Sequence, residues 1–300
     1  MSAPGRTGTG QGMADPPPGR RAGRGQRSAR PASGGADASP AVGPANSAAN
    51  NAANNAGAEP GASEQAVLDL LTNGTLEVAG RLVDASNLTM YCTVSGEAGE
   101  VACVYKPVAG ERPLWDFPEG TLAGREVAAY EVSRAAGWNV VPPTVYRDGP
   151  FGPGMCQLWI DIDDSVDLVA LARRSDHPGL RQMAVFDAVV NNADRKIGHL
   201  LPAPDGHLSG CDHGVCFGAE YKLRTVLWQW RGKRLPGQAV AALERVNEGL
   251  APAGELATQL SRWLEPEELD AARARVELLI EHKVHPYPPA DWPAVPWPPI

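Results

Sequence analysis

Four ionisable residues in the 300-residue sequence have types and surroundings suited to work on a nucleoside triphosphate. Lys106 closes a strand-like run over 101–105 and is followed by Pro107. Glu126 falls on the helix-like stretch that comes next. Asp194 sits in the polar loop Asn191-Asn192-Ala193-Asp194-Arg195-Lys196-Ile197-Gly198-His199. Asp212 opens Asp212-His213-Gly214, just after a short hairpin. A lysine on a strand neutralises phosphate oxygens, and a glutamate on a facing helix holds its ammonium in place. One aspartate orients a nucleophilic hydroxyl or accepts its proton. A second, with one more ligand, holds Mg²⁺ against the β- and γ-phosphates. Each residue alone is ordinary: a strand-end lysine is commonly a solvated edge charge, and an Asp-Arg pair is commonly a surface ion pair. Their order and contexts together carry the signal.

The elements that must position these residues follow from the pattern. Ser63 caps a short amphipathic helix that ends at Asn73-Gly74. Strands are predicted over 75–83, 88–94 and 101–105, joined by turn residues as an antiparallel meander. A helix is predicted over 121–136, stopped by Gly137, and two further strands over 144–146 and 155–160. Beyond Asp161 the pattern turns helical, over 166–173, 178–192, 238–250, 254–264 and 266–283. A small hairpin, 200–202 with 208–211, lies between Asp194 and Asp212. Strands with one helix, followed by helices, read as α+β with two lobes sharing a cleft.

Val104-Tyr105-Lys106-Pro107, Gly124-Arg125-Glu126-Val127-Ala128-Ala129-Tyr130, Asn191-Asn192-Ala193-Asp194-Arg195 and Asp212-His213-Gly214 resemble the phosphatidylinositol 3-/4-kinase-like superfamily. More narrowly they resemble an actinobacterial group of PI3/4-kinase-like proteins, over about residues 68–283. The resemblance implies a bilobal protein-kinase-like fold with a small β-rich N-lobe and a helical C-lobe. It implies that Lys106 contacts the nucleotide phosphates and that Glu126 is its ion-pair partner, with Glu131 on the same helix as the fallback. Asp194, followed by Arg195, would be the catalytic pair, and Asp212 the metal ligand. Kinases place a metal-binding Asn five residues after the catalytic Asp. Here that position is His199, a second metal candidate that favours Mn²⁺ or Zn²⁺ over Mg²⁺. The turn at Asp84-Ala85-Ser86-Asn87 has no G-x-G-x-x-G pattern, so Ser86 and backbone amides are the expected phosphate cover. The implied cofactors are ATP and Mg²⁺ or Mn²⁺, and the implied reaction moves the γ-phosphate to a hydroxyl acceptor: lipid, protein or small molecule. Two alternatives stand beside it. One is a nucleotide-binding pseudokinase acting as a regulatory module. The other is a metal-dependent hydrolase using Asp194, His199, Asp212 and His213, although no H-x-H or H-E-x-x-H spacing supports it.

Composition bounds the rest. Gly 33 and Pro 28 make up a fifth of the chain, and residues 1–62 are nearly all small or polar, so that segment reads as a disordered tail. The catalytic domain is expected over 63–285, with the N-lobe at 63–161 and the C-lobe at 162–285, and a Pro/Trp-rich tail over 286–300. Six arginines against three acids give the first 62 residues a net charge of +3; the whole chain is −8, which leaves −11 for the remainder. A globular part this acidic repels phosphate backbones, so no nucleic-acid partner is expected. Five cysteines with no C-x-x-C pair argue against a disulfide framework or a structural zinc site. No apolar run approaches about 18 residues, and no leader-like apolar stretch opens the chain, so a cytoplasmic protein is expected. Trp228-Gln229-Trp230 with Lys222, Arg224, Arg231, Lys233 and Arg234 forms a basic aromatic segment after Asp212. It reads either as an acceptor surface or as a solvated stretch.

Overall fold

The computed structural model describes residues 60–82 and 87–300. The tail expected over 1–62 lies outside these residues as far as residue 59, and so does Ser86. The first described element is helix α1 (Pro60–Asn73), which starts three residues ahead of the expected cap at Ser63. Arg147 secures the helix's far end, donating to Leu71 O at 2.7 Å and to Gly74 O at 3.0 Å. Carbonyls at a helix end have no partner within the helix, so an arginine fork there is stabilising.

Strands β1 (Thr75–Leu82), β2 (Thr89–Gly96) and β3 (Gly99–Pro107) form the expected antiparallel meander. Helix α2 (Leu122–Ala136) follows, then β4 (Thr144–Gly149) and β5 (Gly152–Leu158). The sheet order is β1-β2-β3-β5-β4, antiparallel throughout, because β5 pairs with β3 and leaves β4 at the edge. Side chains alternate across a sheet, and here both faces are covered. Cys92, Val94, Cys103, Tyr105 and Cys156 pack under Leu70 and Leu71 of α1. Met155 lies opposite Lys106 in the register and packs on the other face with Ala123 and Val127 of α2. The same alternation therefore turns Lys106 towards α2 and away from the α1 core.

The C-lobe contains α3 (Leu168–Ala172), α4 (Pro178–Val190), the hairpin β6 (Leu200–Pro202) and β7 (Leu208–Gly210), then α5 (Gly237–Gly249), α6 (Glu255–Leu260) and α7 (Pro266–His282). The main core unites the second half of α2 with α4, α5 and α7. Helix α2 is thus buried on nearly every side, which suits its small residues: a Cβ at Gly124 would come within 2.9 Å of the Trp263 ring. The architecture is α+β and bilobal, a small β-rich N-lobe followed by a helical C-lobe, as the sequence implies. Among the described residues no helix is long and apolar enough to cross a membrane.

Residues 286–300 are packed along the C-lobe. Tyr287 O accepts the Tyr221 hydroxyl at 2.7 Å, and Ala294 O accepts Thr225 N–H at 3.0 Å and the Trp228 indole at 2.7 Å. Pro299 O accepts Ile197 N–H at 2.9 Å. Prolines lack a donor but keep the carbonyl acceptor, so a proline-rich segment can dock by accepting from its neighbours.

His285 anchors the start of this segment. It is buried, stacks on Trp230 and receives Arg181 Nε at 3.3 Å on its Nε2. Burial, reinforced by the nearby Arg181 and Lys233 charges, lowers its pKa to about 4. The unfolded chain therefore binds a proton on this ring below its ordinary pKa of about 6.5 while the native state does not. Its contribution is intact above pH 6.5 and is lost as the pH falls towards 4. Acidification across that window is expected to cost about 3 kcal/mol through His285. Urea unfolding at stepped pH checks this, and His285→Leu should flatten that part of the profile.

Candidate functional site

The alternation that turns Lys106 inward delivers its ammonium to two carboxylates. Lys106 Nζ lies 2.8 Å from Glu126 Oε1 and also contacts Asp212 Oδ1. Burial disfavours the charged lysine, but the Asp212 and Glu126 carboxylates outweigh it and raise its pKa above the ordinary lysine value. The same ammonium holds Asp212 well below the usual carboxylate range, against the effect of burial. Glu131, the fallback partner, instead pairs with Arg134 at 3.1 Å on its own helix. A lysine on the third strand, paired with a glutamate on the helix that follows, is the N-lobe arrangement of protein kinases.

The Asp212 loop is held against α2 from below. Glu126 Oε2 accepts His213 N–H at 2.8 Å. Asp212 itself has a φ of 58°, a left-handed conformation that Asp tolerates better than most residues. At Gly214 a Cβ would sit 3.3 Å from the Leu122 side chain and 3.8 Å from Glu126 Oε1. Glycine lets the loop come this close.

Asp194 is placed by the end of α4. Asn191 ends the helix at a φ of 52°, and Asn192 Oδ1 accepts Asp194 N–H at 2.9 Å. The Asp194 carboxylate is partly exposed, with Lys196 Nζ 3.1 Å from Oδ2. Burial raises its pKa above the usual value, while Lys196 and Arg224 pull it back. A carboxylate with raised proton affinity is a better proton acceptor.

Arg195 does not reach the cleft. It has no exposed surface, and it grips Asp187 of α4 through Nε (3.1 Å to Oδ2) and Nη2 (2.9 Å to Oδ1). It also donates to Cys211 O at 3.0 Å and to His213 Nε2 at 2.7 Å. Accepting on Nε2 leaves the neutral ring's proton on Nδ1. That atom has no hydrogen-bond partner and lies 3.9 Å from Glu126 Oε2. Burial pushes the His213 pKa well below the ordinary value, so the ring stays neutral.

His199 faces Asp212, Nε2 to Oδ2 at 3.3 Å, and its pKa is lowered to about 4, chiefly by burial. Lys196 N–H points at its Nδ1 from 3.4 Å. That backbone donor favours the tautomer with the proton on Nε2, aimed at Asp212.

Lys106, Glu126, Asp194, His199 and Asp212 therefore line one cleft of about 940 Å³, within the usual range for a small-molecule site. Asp187 and Asn192 were missed in the sequence. The available signals were a lone carboxylate inside the apolar run of α4 and an Asn-Asn pair at its end. Lys196 was visible only as a neighbour of Asp194. The basic aromatic segment is mostly engaged within the fold. Trp230 is buried with its indole on Ser175 O at 3.1 Å, Arg224 donates to Pro293 O at 3.2 Å, and Lys222 pairs with Asp116.

Among the described residues no three His, Cys, Asp or Glu side chains converge to hold a metal unaided. An oxygen-liganded Mg²⁺ or Mn²⁺ completed by nucleotide phosphates still fits the Asp212 carboxylate, since such ions rarely sit in all-protein cages.

Removing the Asp187 charge should be costly, because it strands the Arg195 guanidinium in the interior. Asp187→Asn is expected to lose about 3–5 kcal/mol, read as a lowered urea midpoint at unchanged m-value. Asp194→Asn, at a half-open position, should shift the midpoint little.

No established protein-family profile matches the chain. It is 44% identical over 263 residues to protein Rv2133c of Mycobacterium tuberculosis, an alignment covering 76% of this chain and 94% of that protein. Among solved structures it is similar in overall shape to hydra Fam20 with sugar (15% identity, 74% of this chain and 88% of that one, TM-score 0.49). The Golgi casein kinase is comparable (14% identity, 74% of each chain, TM-score 0.48). The Helicobacter pylori proinflammatory kinase CtkA is more distant (12% identity, 71% of this chain and 94% of that one, TM-score 0.41).

Proposed function

The chain belongs to the family of the mycobacterial protein Rv2133c, and for it we propose an ATP-dependent phosphotransferase of PI3/4-kinase-like type that moves the γ-phosphate to a hydroxyl. The observation that carries this reading is the Lys106–Glu126–Asp212 cluster facing Asp194 across one cleft. Four residues far apart in sequence converge there in the order that phosphoryl transfer needs. Lys106 is the phosphate-neutralising cation, and Glu126 keeps it over the cleft floor. Asp194 is the carboxylate that orients the acceptor hydroxyl and takes its proton, and Lys196 beside it steadies the charge. Asp212 is the residue that would hold Mg²⁺ or Mn²⁺, whose bound charge would offset that of the transferring phosphate. Arg195 is a positioning residue, since its guanidinium is wholly engaged beneath the loop.

His199 takes a different role from the metal ligand expected of it. With its Nε2 proton aimed at Asp212, it orients that carboxylate and offers no lone pair on the same side. His199→Asn then keeps a donor near Asp212 and should leave the preference between Mg²⁺ and Mn²⁺ unchanged, a ratio read from nucleotide-dependent thermal shifts with each metal. A change in that ratio would return His199 to the ligand set. The pseudokinase reading draws on the same feature, because the Asn that kinases place five residues after the catalytic Asp is missing.

Two variants separate binding from chemistry. Asp212→Asn should weaken metal-dependent ATP binding in a calorimetric titration. Asp194→Asn should leave ATP affinity nearly intact and lower turnover by at least about 10²-fold, the lower end of general-base assistance. Tight ATP binding by the parent with no turnover, or full turnover by Asp194→Asn, would favour the pseudokinase.

A further inference from the structure

The acceptor class can be read from what borders the catalytic loop. Arg195 and Thr225 form a parallel bridge: Arg195 N–H donates to Arg224 O at 3.1 Å, and Val226 N–H donates to Arg195 O at 3.2 Å. Residues 224–226 thus run beside the Asp194 loop, joined to it by a single bridge. Thr225 N–H faces away from that bridge, and Ile197 N–H, at the start of the 3-10 turn Ile197–His199, lies just beyond Asp194. Such edge donors are what an extended polypeptide acceptor would take up by adding a strand. Both are already used by the chain itself. Ala294 O accepts Thr225 N–H at 3.0 Å, and Pro299 O accepts Ile197 N–H at 2.9 Å. Ile300 then borders the cleft beside Gly198 and His199.

This segment is anchored at many points. Besides those two bonds, Ala294 O accepts the Trp228 indole and Pro293 O accepts Arg224 Nε. The Trp292 indole reaches Glu220 at 3.0 Å, and its ring stacks on Trp115 with a centroid distance of 5.8 Å. Lys222 Nζ lies 3.8 Å from the Trp292 ring centroid and 5.1 Å from that of Trp115. A plug meant to be displaced by each acceptor would not be tied down this way, because every anchor would have to break for each turnover.

We propose that residues 293–300 form a fixed wall on the acceptor side, and that the hydroxyl acceptor is a compact, freely diffusing small molecule and not a polypeptide. This rests on the phosphotransferase reading for the reaction, but the wall itself does not. The volume fits a compact acceptor beside the nucleotide phosphates, at about 940 Å³, while the two donors that an extended chain would use are already bonded.

Hydrogen exchange on the full chain tests the wall without any need for turnover. The amides of Ile197 and Thr225 should exchange roughly 100-fold or more slowly than free amides, equally with and without ATP and Mg²⁺. Exchange at the free-amide rate, or protection that vanishes when ATP is added, would overturn the proposal, because the edge would then be open to a polypeptide. Phosphate transfer from γ-labelled ATP is measured in parallel, with dephosphorylated casein and myelin basic protein as polypeptide probes, and myo-inositol, ribose and glycerol as small ones. Label on a small probe alone supports the proposal, and label on either polypeptide overturns it. If nothing is labelled, the phosphotransferase reading fails, and the exchange rates alone decide whether the edge is closed.

Discussion

Arg195 carries a full charge at a position with no solvent exposure, and the site is organised around that constraint. A buried guanidinium must be matched by a carboxylate and have its remaining N–H groups accepted. Asp187 supplies the charge, and Cys211 O and His213 Nε2 supply acceptors. Each partner belongs to a different part of the site. Asp187 is on α4, Arg195 is in the loop that carries Asp194, and Cys211 and His213 flank Asp212. Satisfying one buried cation therefore sets the spacing between the two aspartates. His213 extends the link, since its backbone N–H is received by Glu126, the residue that also holds Lys106.

Helix α2 transmits this order between the lobes. Its first turns pack with Met155 on the sheet side, and its later turns enter the core formed with α4, α5 and α7. Arg125, beside Glu126, is itself buried and bonds Cys216 O at 2.9 Å and Glu268 of α7 at 2.8 Å. The helix has little freedom to rotate. Glu126 is consequently held towards Lys106 by the packing of its own helix, and the charges of the cluster are fixed in place.

The segment 293–300 follows a different logic. The Asp194–Asp212 floor rests on the buried Arg195–Asp187 pair, whereas the wall over 293–300 is held by carbonyls that accept N–H donors and, just before it, by Trp292 stacked on Trp115. Proline suits such a wall. It restricts the backbone and offers no N–H that would need a partner, so the segment can close an edge without presenting a new one.

Local pattern determined the elements. Alternation and turn residues marked every strand of the sheet to within a few residues, and apolar spacing with its stops marked the helices, because both signals arise from interactions between near neighbours. The four chemistry-bearing residues were legible for a related reason. Lys106, Asp194 and Asp212 lie at the end of a strand or in loops and Glu126 lies within α2, and it is their order and contexts along the chain, not any one charge, that stand out. What the tertiary structure alone decided is how those charges are shared. Period-two alternation puts Lys106 on one of two faces, and only the packing of α1 and α2 selects the face towards Glu126. The role of Arg195 was not visible, because an Asp-Arg dipeptide reads as a surface pair until α4 brings Asp187 beneath it. The bearing of His199 depends on a backbone donor from Lys196 that sets its tautomer. The stretch 286–300 reads as a tail from composition, since proline-rich sequence shows no periodicity. Its docking uses carbonyl acceptors, which every residue has, and which leave no mark in the sequence at all.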